Sequence, residues 1–255
     1  MGLPEFDLSG KVAIVTGGGR SLGRGAATVL AEAGADVVVV GRSPEPLDAA
    51  VADIEALGRK GLAIVADVSD VAAVDEVVRR AVETFGHLDV MVANAGVFQS
   101  WAPSEDLTNE EWEHVLSVNL TGAMNCNMAA GKQMIAQGTG GSIVNISSIQ
   151  GLVAIEKTVA YTASKHGLMG VTKCLGVDWA PYGVRVNAIA PGFVQRDVEP
   201  LQEDPSTVDF VTSRTPLARW GTPRELGMAV LFLASPASSY VTGTVLAVDG
   251  GWTAH

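Results

Sequence analysis

Apolar residues fall along this chain in short blocks whose spacing alternates between two patterns. Residues 11–16 form an apolar run that stops at glycines, and 37–40 are four valines in a row. Short, uniformly apolar runs predict strands covered on both faces, as parallel sheets require. Similar runs predict further strands at 62–66, 89–93, 142–146, 185–189 and 245–248, with 185–189 broken off by Pro191-Gly192. Between these runs the period becomes helical. Apolar positions 47, 50, 51, 54 and 57 share one face, as do 71, 74, 77, 78, 81, 82 and 85. Further helices are predicted at 22–33, ended by Gly34, and at 161–179 and 224–233. Thr108 and Glu111 have the spacing of a capping box before a helix through Trp112, Val115 and Leu116. Residues 193–215 show no clear period and read as a mobile insertion, either a lid over a substrate or a surface loop.

Strands alternating with helices over the whole length, without a linker or repeat, imply one α/β domain spanning residues 1–255. The expected architecture is a Rossmann fold: a doubly wound parallel sheet of about seven strands with helices on both faces. Ligands of such sheets bind at the carboxyl ends of the strands. The polar residues that follow the strands are therefore where chemistry is expected.

Charge narrows the partners. The chain has 17 basic against 28 acidic side chains, for a net charge of −11. Such a surface repels phosphate backbones and anionic lipid, so neither nucleic acid nor membrane is an expected partner. No window reaches the ~18 uninterrupted apolar residues of a membrane span, and the N-terminus has no leader pattern. Cys126 and Cys174 sit in apolar, helix-like segments away from any metal-ligand spacing. They are expected to be buried free thiols in a reducing, cytoplasmic setting, and no metal site is expected.

The first strand ends in Thr16-Gly17-Gly18-Gly19-Arg20-Ser21-Leu22-Gly23, after which a helix begins. Glycines there let the backbone approach a pyrophosphate, which the helix N-terminus attracts. Gly17, Arg20, Ser21 and Leu22 are thus candidate cofactor contacts. After the second strand, NAD-binding folds place an acidic residue on the adenosine ribose. This chain has Gly41-Arg42-Ser43 instead. Arg42 could pair with a 2′-phosphate, with Arg20 as a second charge, which favours NADP and leaves NAD possible. Arg42 could equally be an ordinary surface residue. Asp67-Val68 follows the third strand and suits the adenine amino group. Asn94-Ala95-Gly96 ends the fourth strand, where small residues leave room for the ribose and Asn94 could also tie neighbouring strands.

Tyr161 and Lys165 lie four apart on one helix face. A fixed ammonium beside a phenol favours the phenolate, which can exchange a proton with a substrate oxygen at neutral pH. Ser148 lies at a strand end, where its hydroxyl can hold that oxygen. Asn119 is a polar residue inside an otherwise apolar helix, as a core amide or a site residue.

Taken together, these motifs resemble the short-chain dehydrogenase/reductase family over essentially the full length. The resemblance rests on the glycine turn at 16–23, Asp67, Asn94-Ala-Gly96, Asn119, Ser148, Tyr161-x-x-x-Lys165 and Pro191-Gly192. It is to the NADP-type sugar/polyol dehydrogenase and 3-oxoacyl reductase branch. It implies an oxidoreductase that moves a hydride between NADP(H) and a secondary alcohol or ketone. It implies Tyr161 as acid/base and Lys165 on the nicotinamide ribose. Ser148 would bind the substrate oxygen, and Asn119 would hold a water linking Lys165 to solvent. Pro191, Gly192 and Val194 would orient the nicotinamide. Two positions depart from the family pattern. Ser21 replaces a usual glycine, and Arg196 stands near a usual threonine. Gly41-Arg42 is the NADP-type variant.

Gln99, Trp101 and residues between Ser148 and Tyr161, including Gln150 and Glu156, are candidate pocket residues. His166 is read as structural. Residues 244–252 resemble the family's C-terminal strand, which packs across a subunit interface and implies a homotetramer. Two other readings remain. A 3-oxoacyl-thioester reductase would need a basic patch for an acidic carrier protein, against the net charge. A non-catalytic NAD(P)-sensing protein would usually lose Tyr161 or Lys165.

Overall fold

The computed structural model describes residues 3–195 and 204–254. Seven parallel strands form one sheet in the order β3-β2-β1-β4-β5-β6-β7. They are β1 (Val12–Thr16), β2 (Asp36–Gly41), β3 (Gly61–Val65), β4 (Val90–Ala93), β5 (Gly141–Ile146), β6 (Val184–Pro191) and β7 (Val245–Val248). The helices are α1 (Ser21–Glu32), α2 (Pro44–Ala56), α3 (Val71–Phe85), α4 (Asn109–Leu116), α5 (Ala123–Gln137), α6 (Val159–Asp178), α7 (Pro205–Arg214) and α8 (Pro223–Ala234). The doubly wound parallel sheet expected from the hydrophobic pattern is the one observed.

Side chains alternate across a strand, so each strand feeds two cores. Ala13, Val15, Val37, Val39, Val90 and Val92 pack with α1, α2 and α8 on one face. Ile14, Val38, Val40, Met91 and Ala93 pack with α3, α5 and α6 on the other. This two-sided burial explains why the central strands read as continuous apolar runs and not as an apolar–polar alternation.

Four features correct or extend the sequence reading. The aperiodic stretch 193–215 contains a helix, α7, whose N-cap Asp204 accepts from Thr207 N–H at 2.9 Å. Its apolar face is short, with Val211 its buried apolar residue, so the period is too weak to see. Pro191 ends β6 within the sheet, in register with Val248, and does not break the strand. Cys126 is buried as expected, but Cys174 is exposed. The helix-like segment around Cys126 is α5, whose bounds the apolar pattern does not give because Asn125, Asn127 and Gln133 dilute its signal. Arg196 lies outside the described residues.

The chain reverses its direction of winding between β1 and β4. At this switch the Thr16 hydroxyl accepts the N–H groups of Asn94 at 3.0 Å and Ala95 at 3.1 Å. The Asn94 amide donates back to the Thr16 carbonyl at 2.8 Å. Asn94 therefore ties the two strands together at their carboxyl ends, where ligands of such sheets bind.

Candidate active site

Two adjoining clefts open along the carboxyl edge of the sheet. The first, of about 330 Å³, spans the ends of β1, β2, β3 and β4. Gly17, Arg20, Arg42, Asp67, Val68 and Gly96 line it, bringing six of the expected cofactor residues together. Gly17 has φ +65°, and a Cβ there would lie 2.7 Å from the Asn94 amide nitrogen. A Cβ on Gly23 would strike the Gly17 carbonyl oxygen. Glycine is thus required at both positions, by conformation at one and by close approach at the other.

Arg42 is exposed, and its charge acts on Asp67. Hydrogen bonds from the Ser69 N–H and hydroxyl, with Arg42 adding to them, hold the Asp67 carboxyl below the usual carboxylate range. Both bonds fall on one oxygen, Oδ1, at 2.9 and 2.7 Å. The carboxylate is therefore ionised and oriented throughout the neutral range.

Two further expected cofactor residues, Ser21 and Leu22, open α1 directly after Arg20. Ser21 faces a separate groove between α1 and the start of α8, with Arg24, Thr222 and Pro223. Leu22 packs against the core. Ser21 also sits in the left-handed region, at φ +45°.

The second cleft, of about 720 Å³, contains Ser148 and Tyr161 on one side and Gly192 and Val194 on another. Pro191 is in the strand immediately before it. Ser148 is an N-cap residue whose Oγ accepts the Gln150 N–H at 3.1 Å, which orients the hydroxyl at the end of β5. Tyr161 is in the first turn of α6. Its ring packs on Phe98, with centroids 4.7 Å apart.

Lys165 is one turn further along α6 and only 4% exposed. Its Nζ donates to the Ile146 carbonyl at 2.9 Å and lies 5.5 Å from the centre of the Tyr161 ring. The ammonium is thereby held between a strand end and the phenol. A Cβ on Gly96 would lie 3.7 Å from this Nζ and 3.2 Å from Asn119 Oδ1, so the missing side chain keeps space beside the ammonium. The Lys165 carbonyl accepts from Ser147 Oγ at 3.0 Å, pinning α6 to β5.

Asn119 is fully buried in a π-helical turn, Ser117–Gly122. Its Oδ1 accepts the Val97 N–H at 2.8 Å. Its Nδ2 donates to the Val97 carbonyl at 2.9 Å and to Ser164 Oγ at 3.3 Å. Ser164 in turn donates to the Tyr161 carbonyl at 2.7 Å. The amide thus couples the loop after β4 to the helix that carries Tyr161. π-turns of this kind recur at functional sites.

Gln99 contributes a function beyond lining the pocket. It is buried, its Oε1 accepts the Tyr161 N–H at 3.0 Å, and its Nε2 donates to the Lys157 carbonyl at 3.3 Å. The N-cap residue of α6, Thr158, makes no side-chain cap bond. A residue far away in sequence therefore satisfies a first-turn donor of this helix, and no local motif could have announced it. His166 bonds the Thr162 carbonyl on the outer face of α6, away from the site.

Comparison with known proteins gives this geometry a family. Residues 17–253 match the family profile described as Enoyl-(Acyl carrier protein) reductase. The chain is 40% identical over 254 residues to 2-dehydro-3-deoxy-D-gluconate 5-dehydrogenase of Escherichia coli, covering 99% of each chain. It is 38% identical to galactitol 2-dehydrogenase of Rhizobium johnstonii, covering 98% of this chain and 97% of that one. The chain belongs to the short-chain dehydrogenase/reductase family. It is a nicotinamide-dependent oxidoreductase of CH–OH groups. Among solved structures, a gluconate 5-dehydrogenase from Burkholderia cenocepacia, in complex with NADP and tartrate, superposes with a TM-score of 0.92 at 36% identity, covering 98% of both chains.

No helix among the described residues is long and apolar enough to cross a membrane. Among the same residues, no cluster of His, Cys, Asp and Glu could hold a metal ion.

Proposed function

We propose that this enzyme interconverts a secondary alcohol and a ketone with NADP(H), using Tyr161 as the acid/base. One observation carries the reading: Tyr161 and Ser148 share a cleft wall while Lys165 Nζ is held 5.5 Å from the phenol ring. The bound cofactor supplies the hydride acceptor or donor. The chain's own residues do the rest.

Ser148 donates a hydrogen bond to the substrate oxygen and fixes it beside the phenol. In reduction, Tyr161 gives its proton to that oxygen as negative charge develops there. In oxidation, it takes the hydroxyl proton. The Lys165 ammonium stabilises the phenolate electrostatically and would hold the nicotinamide ribose hydroxyls of a bound cofactor. Gly192 and Val194 border the cleft where the nicotinamide is oriented, with Pro191 setting their strand end. The Asn119 amide bonds Val97 and Ser164. These bonds position α6, and the Asn119 side-chain oxygen, which accepts one bond from Val97, keeps a second lone pair for a water that would link Lys165 to solvent.

Arg42 at the mouth of the first cleft favours NADP, because a guanidinium can pair bidentately with a 2′-phosphate. Asp67 accepts the adenine amino group through its second oxygen. The relatives offer both acid and polyol substrates, since the similar enzymes are named for a sugar acid and for galactitol. A sugar or polyol substrate follows for this chain. A carrier-bound thioester is disfavoured: no lysine or arginine among the described residues lines the second cleft.

The chain is read as one cytoplasmic domain whose segment 193–215 covers the substrate. In support, Ser206, Thr207 and Phe210 of α7 border the cleft. Strand β7 is only half covered at the sheet edge, unlike the fully buried β1 and β4, which suits burial in a homotetramer. The deciding test is Tyr161→Phe. It should abolish turnover while NADPH still binds, as read by quenching of protein fluorescence. A variant that turns over at the wild-type rate would refute the mechanism.

A further inference from the structure

The second cleft has a wall that proton transfer and cofactor binding leave unexplained. Five aromatic rings besides Tyr161 line it, in a chain that is only 5% aromatic: Phe98, Trp101, Phe193, Phe210 and Trp220. They brace one another. Phe98 stacks on Trp101 at 5.9 Å between centroids, and Phe193 meets Trp220 edge-on at 5.6 Å. Much of the polar lining is already committed. Gln99 is used on α6 and Lys157, and Gln150 Oε1 accepts the Thr162 hydroxyl at 3.1 Å.

A single charged side chain stands among the described lining residues, and it is Glu156. It is exposed, and no lysine, arginine or histidine is among the described residues that line the cleft, although Lys157 follows it in the chain and Arg214 packs on Phe210 at 4.2 Å. A substrate carboxylate here would lose hydration against aromatic walls, find no lysine, arginine or histidine among the described lining residues, and face a like charge. A neutral substrate meets the opposite conditions. Its C–H faces lie on the rings, and a spare hydroxyl donates to the Glu156 carboxylate.

We propose that Glu156 is a specificity residue that excludes carboxylates, so that this enzyme takes uncharged alcohols and ketones with an apolar face. This separates it from the similar enzymes named for gluconate derivatives. The inference rests on the reading that this cleft holds the substrate beside Tyr161.

The test compares pairs that share a skeleton and differ in charge: gluconate with gluconamide, and 4-hydroxycyclohexanecarboxylate with its carboxamide. Each is titrated calorimetrically into the full-length protein loaded with NADP, and its turnover is measured. In the wild type, the amide of at least one pair should bind about tenfold or more tightly than its acid, the size expected for like charges across a solvated cleft. Glu156→Gln should shrink that ratio to about twofold, and Glu156→Lys should invert it. Equal or tighter binding of the acids by the wild type would overturn the proposal. So would a preference that survives in Glu156→Gln, or a failure of both amides to bind. If the preference holds but turnover does not depend on Tyr161, the mechanism falls and the charge filter stands.

Discussion

The Gln99 side-chain carbonyl accepts the backbone N–H of Tyr161 at 3.0 Å. The amide of the same side chain donates to the Lys157 carbonyl. Gln99 therefore holds both the start of α6 and the turn before it, and so fixes where the phenol stands. Gln99→Leu keeps the volume and removes both bonds. It should leave a helix donor unpaired, at a cost of about 1–3 kcal/mol. We expect kcat to fall about tenfold while cofactor affinity is unchanged, because small misplacements of a reacting group are expensive. Steady-state kinetics beside an NADPH titration reads the split, and Gln99→Glu, which retains an acceptor, should recover part of kcat.

Arg42 can be separated from the rest of the cofactor site by charge. Arg42→Ala should weaken NADPH binding about ten- to a hundredfold and leave NADH almost unaffected, the difference between a charge-assisted bond to phosphate and none. The pH dependence gives an independent check. Ser69, through its N–H and hydroxyl, holds Asp67 below the ordinary carboxylate range. Its folded pKa is depressed, so its contribution to stability is complete above about pH 4 and is lost as the pH falls further. A 2′-phosphate takes up its second proton near pH 6. Wild-type NADPH affinity should therefore fall between roughly pH 7 and 5, and NADH affinity should stay flat over that range. Calorimetric titrations at three pH values distinguish the two.

Ser21 stands at φ +45°, where a side chain is strained and glycine is not. Ser21→Gly should stabilise the fold by about 1 kcal/mol, or about 2–4 °C in Tm for a chain of this size. Since the Ser21 side chain lines the groove beside α8, NADPH affinity should change less than about threefold. Thermal unfolding with a binding titration tests both statements. A large loss of affinity would show that the serine hydroxyl does reach a phosphate.

Asn119→Ala removes three hydrogen bonds from a fully buried amide. It leaves the Val97 N–H and carbonyl without partners, and each such group costs about 1–3 kcal/mol. Tm should drop by at least about 4 °C, and kcat should fall because the Ser164 link to Tyr161 is loosened. Asn119→Asp keeps the acceptor for Val97 N–H but places a charge in the core, so it should be no better tolerated. If kcat falls with Tm unchanged, Asn119 acts on the chemistry and not through packing.

The legible parts of this protein were those written in local spacing. The apolar runs of β1 and β2, the stripe of α3 and the glycine turn each report a nearest-neighbour constraint. Strand burial on two faces, a period of 3.6 residues, and a backbone that only glycine can follow all leave marks within a few positions. The pairing of Tyr161 with Lys165 is of the same kind, one turn of one helix. Helix α7 escaped because its apolar face is small, and the bounds of α5 because its amides face a buried polar contact: Asn127 bonds Asn145 at 2.7 Å. Cys174 was misjudged because helical context does not say which face looks out.

The sequence by itself determined the order of the elements, the parallel sheet and the residues able to carry proton transfer, since these follow from periodicity and residue chemistry. Only the tertiary structure decided that Gln99 caps α6, that Ser21 lines a groove beside α8, and that Glu156 is the one charged side chain among the described residues lining the second cleft. Each of these depends on segments far apart in the chain meeting in space, and the pattern of one segment carries no record of the other.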